Sequence, residues 1–469
     1  MTDILDLPGW TALEKRLDGD EYEISIEYTK HPDFCLKCGV VGRVYRHGPK
    51  VVTYRDSPIR GRPVRLVAKL QRYRCRECSG TFLQPVEGME DARRMTTRCV
   101  AYVEEQCLRD SFTRLAEHVG CVEGTIRNIA QAYIERMSAE YRPPRVTWLG
   151  IDEVMLSKQL RCMITDVGNR VPVDMLKDRS KPVVIAWLRA YPYRASIRGV
   201  AMDMWRPYRD AVHEVLPGVP VVVDKFHVVA MVSRGLEAVR RGMRATISLK
   251  MRRHLMRSRF LMLKRPKDLN DKDRLALDMM LRNAPDLQVA YDLKEEFACL
   301  YDLPKAEAIQ VYRAWPAKVP EHLRPAFKEI LTAMSNWAPE ILAFFDHPIT
   351  NGYTEAVNGV AKVISRAGRG YSFDVLRAKV LLKDRPRAEP EAVVGQMRHA
   401  TVDEVNFIAL AGSSCCESCG GLFNPRLMER HTVEPIVPGE HVKMLRLCAS
   451  CHRRFHMEGA NQHGSDSTR

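Results

Sequence analysis

Three acidic residues, far apart in the chain, could together hold the metal ions of a phosphodiester-processing centre. Asp152 stands in the apolar stretch WLGIDEVML, where a carboxylate is costly to bury without a cation. Asp203 follows the apolar stretch GVAM, and Glu355 lies in a segment with helical periodicity. Hydrolysis of a phosphodiester, or its transfer to a DNA 3′-hydroxyl, is assisted by two divalent ions about 4 Å apart. Because oxygen ligands suit Mg²⁺ or Mn²⁺, we predict that Asp152 bridges two such ions and that Asp203 and Glu355 complete the set.

A fourth acidic residue, Asp224, competes with Asp203 for the second ligand position. It ends the next apolar stretch, PVVVDKFHV, and forms an Asp-x-x-His pair with His227. If Asp203 is the ligand, Asp224 and His227 are accessory residues near the metal ions or the scissile strand. The order of strands around Asp203 and Asp224 bears on which of them is the second ligand.

The elements that must position these residues run from Thr147 to Val228. Three short strand patterns follow one another, and then come a helix, a fourth strand, a second helix and a fifth strand. The order β-β-β-α-β-α-β is that of the ribonuclease H-like fold. That fold takes its second ligand from the fourth strand, which favours Asp203 over Asp224.

The polar face of a later helix is predicted to contribute further residues to the centre. Asn351-Gly352 is a turn signal, and a helical pattern begins just after it. Three polar residues follow Glu355 at offsets of three, seven and eleven and share its face of the helix. These predicted accessory residues are Asn358, Lys362 and Arg366.

Eight of the fourteen cysteines form four C-x-x-C pairs, which predict two zinc sites. The first site is predicted from Cys35, Cys38, Cys75 and Cys78, which bracket alternating runs typical of a small antiparallel sheet. The second is predicted from Cys416, Cys419, Cys448 and Cys451, in a treble-clef-like module. We therefore predict an N-terminal zinc ribbon and a C-terminal zinc module, each with one structural Zn²⁺ held by four cysteines.

Two regions of the chain are predicted to contact DNA. Residues 91–142 read as helices, the first over DARRMTTRCVAYVEEQCLR, and the later ones form a helix-turn-helix around Gly120. Its second helix would present Thr125, Arg127 and Asn128 to base edges. Residues 234–267 carry twelve Lys or Arg residues against one acidic residue, a pattern typical of a phosphate-tracking surface. The basic residues chosen from this second region are Arg240, Arg241, Arg244, Arg252 and Arg253.

The C-terminal module resembles an HNH nuclease motif with two departures. His431 occupies the general-base position, and His452 and His456 match the end of that motif. Arg430 stands in place of a metal-binding His, and Lys443 stands in place of the Asn that orients the base. We therefore interpret the module as structural or DNA-binding rather than as a nuclease.

The totals agree with a chain that acts on nucleic acid. Lys and Arg number 73 against 58 Asp and Glu, and the net charge of +15 favours a polyanionic partner. The sequence contains no apolar run of about 18 residues, so we expect no membrane span. The N-terminus does not show the pattern of a secretory signal. We expect a cytoplasmic, nucleoid-associated protein with no membrane partner.

The predicted fold class is a multidomain α+β and α/β chain with a ribonuclease H-like catalytic core. That core is interrupted by a helical insertion, preceded by the zinc ribbon and the helix-turn-helix, and followed by the C-terminal zinc module. The predicted boundaries are 1–90 for the zinc ribbon, 91–142 for the helix-turn-helix, 143–227 for the first part of the core, 228–346 for the insertion, 347–384 for the later core helices, 385–411 for a linker and 412–469 for the C-terminal module.

Together these motifs resemble the bacterial insertion-sequence transposases of the ISL-three group, a DDE-type family. The resemblance extends to about Leu382 and includes the zinc ribbon and the helix-turn-helix. It further includes GIDE at 150–153, MDMWRPY at 202–208, VVDKFHV at 222–228, NGYTEAVN at 351–358, the following K-x-x-x-R, and Gly370-Tyr371.

The resemblance implies a cut-and-join reaction on double-stranded DNA. Strands at the terminal inverted repeats of an element would be hydrolysed, and the freed 3′-hydroxyls would attack target DNA. It implies that Asp152, Asp203 and Glu355 are the catalytic triad and that Asp224 and His227 are an accessory motif. Synapsis of two ends implies at least a homodimer. The alternatives are a non-catalytic zinc-containing DNA-binding regulator and a nuclease that cuts without joining.

Overall fold

The computed structural model describes residues 5–243, 259–368 and 370–383. It also describes the backbone of four short strands near the C-terminus: Ser414–Cys415, Leu422–Phe423, Met428–Val433 and Lys443–Cys448. The chain divides into two compact units, Met1–Glu135 together with Pro386–Arg469, and Arg136–Arg385.

The first unit contains a seven-stranded sheet dominated by one long hairpin. Its strands are β1 (Trp10–Asp18), β2 (Glu21–Tyr28), β3 (Val44–Ile59), β4 (Arg62–Cys75), β5 (Thr81–Leu83), β6 (Met89–Glu90) and β7 (Met95–Thr96). The spatial order is β1-β2-β4-β3-β7-β6, with β5 on the free part of β4. Alternating apolar residues of β2, β3 and β4 are buried on one face, as the period of a strand requires.

Three helices follow the sheet: α1 (Thr97–Gln106), α2 (Phe112–Val119) and α3 (Glu123–Glu140). The side chains of Thr96 and Ser111 accept hydrogen bonds from backbone N–H groups and begin α1 and α2. Gly120 ends α2 in the left-handed region, with φ of 73°. The predicted first helix began at residue 91, which is wrong, because Met95 pairs with β3 and Thr96 caps the helix instead.

The second unit is built on a five-stranded sheet with the predicted order of elements. Its elements are β8 (Trp148–Leu156), β9 (Gln159–Asp166), β10 (Val171–Leu176), α4 (Lys181–Ala190), β11 (Gly199–Met202), α5 (Arg206–Val215) and β12 (Val221–Val223). The spatial order is β10-β9-β8-β11-β12. The first three strands are antiparallel, and β11 runs parallel to both β8 and β12. The carboxyl ends of β11 and β12 therefore meet beside the middle of β8.

Nine further α-helices lie in the described part of this unit. They are α6 (Lys225–Gly242), α7 (Arg259–Leu263), α8 (Asp271–Arg282), α9 (Pro285–Cys299), α10 (Lys305–Lys318), α11 (Lys328–Asn336), α12 (Ala338–Leu342), α13 (Gly352–Ala367) and α14 (Phe373–Leu381). Helices α6 to α12 share one apolar core, in which Trp315 and Trp337 are both buried. None of the described helices is long and apolar enough to span a bilayer.

Candidate active site and metal centres

Helix α13 lies directly on β8, because small and polar residues let the two backbones approach. The Asn351 side chain donates to the backbone oxygen of Ile151 at 3.0 Å and accepts from the Thr354 hydroxyl at 2.5 Å. The Thr165 and Thr354 hydroxyl oxygens are 2.7 Å apart. A Cβ on Gly150 would lie 2.4 Å from Thr354 Oγ1 and 2.5 Å from Thr165 Oγ1. This packing fixes Glu355 and Asn358 of α13 above the middle of β8.

Gly150→Ala is expected to push α13 away from β8. Overpacking of this kind costs about 1–3 kcal/mol of unfolding free energy, and displacement of Glu355 should also lower activity. The matched control is Gly359→Ala on α13, where a Cβ meets nothing within 4 Å. That change should stabilise the helix by about 0.5–1 kcal/mol. Denaturant unfolding of both variants checks the contrast, and equal stabilities would contradict the packing described.

Asp152 is buried at this contact, with 7% of its surface exposed. Its Oδ2 accepts from the Asn358 side-chain amide at 2.7 Å, and its Oδ1 accepts from the Glu153 backbone N–H at 2.7 Å. The Asn358 amide also donates to the Glu153 carbonyl oxygen at 3.2 Å. Burial, with the nearby Asp203 carboxylate, raises the pKa of Asp152 to about 7. A cation placed beside this carboxylate would remove the cost of its charge.

If Asp152 is the metal ligand predicted from the sequence, Asn358→Ala is expected to lower activity about 10- to 100-fold, because residues that orient a metal ligand have effects of this size. The Mg²⁺ concentration needed for half-maximal activity should rise, whereas a purely structural role would change only the stability. Asn336→Ala is the control, since Asn336 is an exposed asparagine at the end of α11. An unchanged Mg²⁺ dependence in Asn358→Ala would argue against this positioning role.

Asp203, Asp224, His227 and Glu355 converge beside Asp152. Asp203 follows β11, whose last residue, Met202, pairs with Ile151 of β8, so Asp203 and Asp152 lie on adjacent strands. The His227 Nε2 is 2.9 Å from Asp203 Oδ2 and 3.7 Å from Glu355 Oε1. Its Nδ1 is 3.8 Å from Asp224 Oδ2, which is too long for a hydrogen bond. Residues separated by more than 200 positions thus share one pocket.

The two rival aspartates differ in what holds them. Asp224 is fully buried and caps α6, accepting from the Phe226 backbone N–H at 3.1 Å. Asp203 is partly exposed and lies on the strand next to β8, and its charge acts on Asp152. Asp224 lies one strand further away, after β12. Both aspartates belong to the group of side chains that could hold a metal ion, and Asp224 also caps α6.

His227 balances the negative charge of this pocket. Its hydrogen bond with Asp203, together with the Asp224 carboxylate, raises the pKa of His227 to about 10. The imidazole is therefore positively charged at neutral pH in the metal-free protein. It stands between Asp203 and Glu355, where a cation is favoured.

The donor set fits divalent ions. Asp203, Asp224 and His227 place one ligand atom each within 4.8 Å of one another. Glu355 lies 3.7 Å from His227, and the charges of Asp203 and Glu355 act on Asp152. Two of the carboxylate oxygens, Asp203 Oδ1 and Asp224 Oδ2, are buried without a hydrogen-bond partner among the described residues. Carboxylate oxygens are the ligands that Mg²⁺ and Mn²⁺ prefer.

The remaining accessory residues lie on the exposed side of α13. Glu355 is half exposed, and Lys362 and Arg366 are exposed on the same helix.

The sequence did not predict Gly150, Asn351 and Thr354 as positioning residues. The Asn351-Gly352 turn signal was visible, but nothing local shows that its amide bonds to a strand two hundred residues earlier.

The first predicted zinc site is assembled by two knuckles at one end of the β3–β4 hairpin. Cys35 and Cys78 Sγ are 3.7 Å apart, and so are Cys38 and Cys75 Sγ. All four sulfurs lie within 4.8 Å of one another. A tetrahedral ion with Zn–S bonds of about 2.3 Å needs sulfurs roughly 3.8 Å apart. The backbone N–H of Lys37 donates to Cys35 Sγ at 3.4 Å, as expected for a thiolate ligand. The cluster fits one structural Zn²⁺.

The predicted base-contacting residues lie in the first turns of α3. Arg127 and Asn128 are exposed, and Thr125 is half-buried. Arg127 donates to Glu123 at 2.6 Å and lies 5.8 Å from the centre of the Phe112 ring. The three residues therefore follow the turn at Gly120, where a second helix of a helix-turn-helix begins.

The predicted basic surface is only partly described. Arg240 is 4% exposed, and its guanidinium donates twice to Glu237, at 3.0 and 2.9 Å. This buried ion pair does not favour Arg240 as a phosphate contact, because both groups would have to separate first. Arg241 is exposed. Arg244, Arg252 and Arg253 lie outside the described residues.

The C-terminal zinc prediction also lies largely outside the described residues. Cys448 ends the strand Lys443–Cys448, which pairs with Met428–Val433. His431 is on the second of these strands. Cys416, Cys419, Cys451, His452 and His456 are not described, so their role stays a prediction.

Three family models match consecutive parts of the chain. A transposase model of the DDE type and the ISL3 family matches residues 149–380. A zinc-finger model of the transposases IS204/IS1001/IS1096/IS1165 matches residues 31–78, and the helix-turn-helix model of transposase family ISL3 matches residues 84–134.

Two curated relatives carry transposase names. The chain is 26% identical over 365 residues to a transposase for insertion sequence element IS1001 from Bordetella parapertussis, covering 75% of this chain and 89% of the relative. It is 22% identical over 299 residues to a transposase for insertion sequence element IS1557 from Mycobacterium tuberculosis, covering 58% of this chain and 67% of the relative.

Proposed function

We propose that the chain is a transposase of the ISL3 family, since three models of such transposases match consecutive parts of it, and that it cuts and joins DNA. It would bind the terminal inverted repeats of an insertion sequence, cleave strands there and join the 3′ ends to target DNA. One observation carries the proposal. Asp203 and Glu355 lie 2.9 and 3.7 Å from His227 Nε2, and the charges of all three residues act on the buried Asp152.

The catalytic core is proposed to be ribonuclease H-like. The sheet order β10-β9-β8-β11-β12, with three antiparallel strands followed by two parallel ones, supports this assignment. In such an arrangement the first strand carries one ligand and the end of the fourth strand carries the next. Asp152 and Asp203 occupy these places, and helix α13 brings Glu355 to them.

Each residue of the pocket has a proposed role. Asp152, Asp203 and Glu355 would hold two Mg²⁺ or Mn²⁺ ions, with Asp152 as the shared ligand. The ions would activate the attacking oxygen and stabilise the charge that develops on the phosphate. Asn358 fixes the Asp152 carboxylate, and His227 orients Asp203. Asp224 holds the start of α6, so that His227 keeps its place.

DNA recognition is proposed to lie in the first unit, where α2 and α3 would act as a helix-turn-helix with Thr125, Arg127 and Asn128 at the bases. Lys362 and Arg366, exposed on the helix of Glu355, would contact the backbone of the bound strand. Because two ends must be brought together, the working form would be at least a homodimer. The protein would act at the nucleoid. The domain boundaries predicted from the sequence are proposed as well, including a C-terminal zinc module at 412–469.

An assay with labelled terminal-repeat DNA, a target plasmid and Mg²⁺ tests the proposed function. Joined products are expected, and they should disappear when EDTA replaces Mg²⁺. Cut ends without joining would instead indicate a nuclease. Retarded but intact DNA would indicate a DNA-binding regulator. Either of these two outcomes would overturn the assignment as a transposase.

A further inference from the structure

The long β3–β4 hairpin carries arginines at both ends, and two arginines of β4 near the turn have carboxylate partners. At the end that holds the β3–β4 turn, Arg65 lies 2.9 Å from Asp18, 3.2 Å from Glu21 and 2.9 Å from Glu23. Arg62 lies 3.3 Å from Asp20. Carboxylates of β1, β2 and the turn between them thus neutralise Arg62 and Arg65.

The other end of the hairpin, next to the zinc cluster, presents a different set. Tyr45 lies directly opposite Arg74, and Arg72 is two residues away on the same strand, so the three side chains share one face. The guanidinium of Arg76, in the second zinc knuckle, lies 5.4 Å from the centre of the Tyr45 ring. We call Tyr45, Arg72, Arg74 and Arg76 the zinc-end face.

The zinc-end face is open to solvent and its charge is uncompensated. Arg72 and Arg76 are exposed, Arg74 is half-buried and Tyr45 is 36% exposed. Among the described residues, none of the three arginines has a carboxylate oxygen within 4.0 Å. Gly48 lies opposite Arg72, and a Cβ built there would meet nothing within 4 Å. The backbone of a bound molecule could therefore approach the sheet closely at Gly48.

This combination is complementary to a nucleic-acid backbone. Guanidinium groups bind phosphate through paired N–H donors, and a neighbouring aromatic ring holds them in place. Arg72 and Arg74 are about 6.8 Å apart along the strand, which equals the axial rise of roughly two nucleotides of one DNA strand at 3.4 Å each. Three like charges held together without counterions repel one another, and a polyanion would remove that repulsion.

We propose that the zinc-end face is a second DNA-contact surface, which binds phosphates of duplex DNA independently of sequence. The proposal rests on the proposed function and adds a surface to the helix-turn-helix. The zinc ion would then have a role in binding as well as in folding, since its knuckle carries Arg76 and its cluster fixes the end of the hairpin.

The test measures how binding depends on salt. Full-length, zinc-loaded protein is titrated against a terminal-repeat duplex and a scrambled duplex over a series of KCl concentrations. The variant Arg72→Gln/Arg74→Gln is compared with Arg16→Gln/Arg62→Gln. The control removes the same charge from the same sheet, but its arginines already have carboxylate partners. Each lost phosphate contact lowers the slope of log K against log[KCl] by about 0.9.

For Arg72→Gln/Arg74→Gln, the slope of log K against log[KCl] should fall by about 2 on both duplexes. The control variant should keep the wild-type slope. Arg72→Lys/Arg74→Lys should recover most of the loss, because lysine keeps the charge. The zinc content per chain of each variant shows whether its zinc cluster is intact. If the double variant loses zinc, the single variant Arg74→Gln, with an expected fall of about 1, decides the question. A wild-type slope in the glutamine variants, or an equal fall in the control, would overturn the proposal. Failure of the wild type to bind or join terminal-repeat DNA would instead count against the proposed function.

Discussion

Replacing Asp152 or Asp203 by alanine is expected to abolish strand cleavage and joining, while binding of terminal-repeat DNA persists. Loss of a metal ligand removes several kcal/mol of transition-state stabilisation, so the rate should fall by at least about 10³-fold. The fold should survive, because Asp152 is buried near other carboxylates and its ionised form is disfavoured in the metal-free protein. Single-turnover cleavage rates and DNA-retardation assays, run on the same preparations, measure the two effects.

Asp224→Ala separates the two rival assignments. Asp224 caps α6, and loss of a cap costs about 0.5–2 kcal/mol of stability. We therefore expect a lower melting temperature and a smaller loss of activity than in Asp203→Ala. Glu214→Gln, at a surface carboxylate of α5, is the control for removing a negative charge. If Asp203→Ala stays active while Asp224→Ala is inactive at a temperature where both are folded, Asp224 is the second ligand.

Cys75→Ser is expected to remove one zinc ion per chain and to unfold the zinc end of the β3–β4 hairpin. Cys75 is buried at the end of β4, and structural zinc sites contribute about 10–16 kcal/mol to the folding of small domains. Specific binding to the terminal repeat should weaken by at least about 10³-fold, towards the level of non-specific binding. Zinc content, circular dichroism and DNA anisotropy together check this expectation.

Cys299→Ser is the matched control, since Cys299 is an exposed thiol at the end of α9, outside the zinc cluster. It should keep the zinc content and DNA affinity of the wild type. Full zinc content and wild-type DNA binding in Cys75→Ser would show that the four cysteines do not form the site described.

Sequence reasoning succeeded where the signal is local. The two knuckles of the zinc ribbon are each four residues long, and their hairpin is visible as alternating residues, so the cluster could be predicted. Asp152 stood out for a similar reason, because a carboxylate inside an apolar strand needs a partner. The order of strands in the second unit followed from short periodic runs with clear breaks between them.

What the sequence could not provide depends on contacts between distant segments. From the sequence alone, Glu355 is one of several polar residues on a helix face. Only the packing of α13 on β8 brings it near the other acidic residues. The close approach at Gly150 and the hydrogen bond from Asn351 to β8 join segments two hundred residues apart, and no local pattern encodes them. Arg240 differs, because its partner Glu237 is only three residues away on α6. Both side chains are buried, and this burial depends on the tertiary packing around α6.

The most direct test of the central claim replaces Mg²⁺ by Fe²⁺ in the full-length protein. Ascorbate and peroxide then produce hydroxyl radicals at the bound iron, and these cut the polypeptide nearby. Fragments ending near residues 152, 203 and 355 are expected in one sample, suppressed by excess Mg²⁺ and absent in Asp152→Ala. Cuts that cluster elsewhere, or that ignore added Mg²⁺, would contradict convergence of these three acidic residues on a shared metal centre.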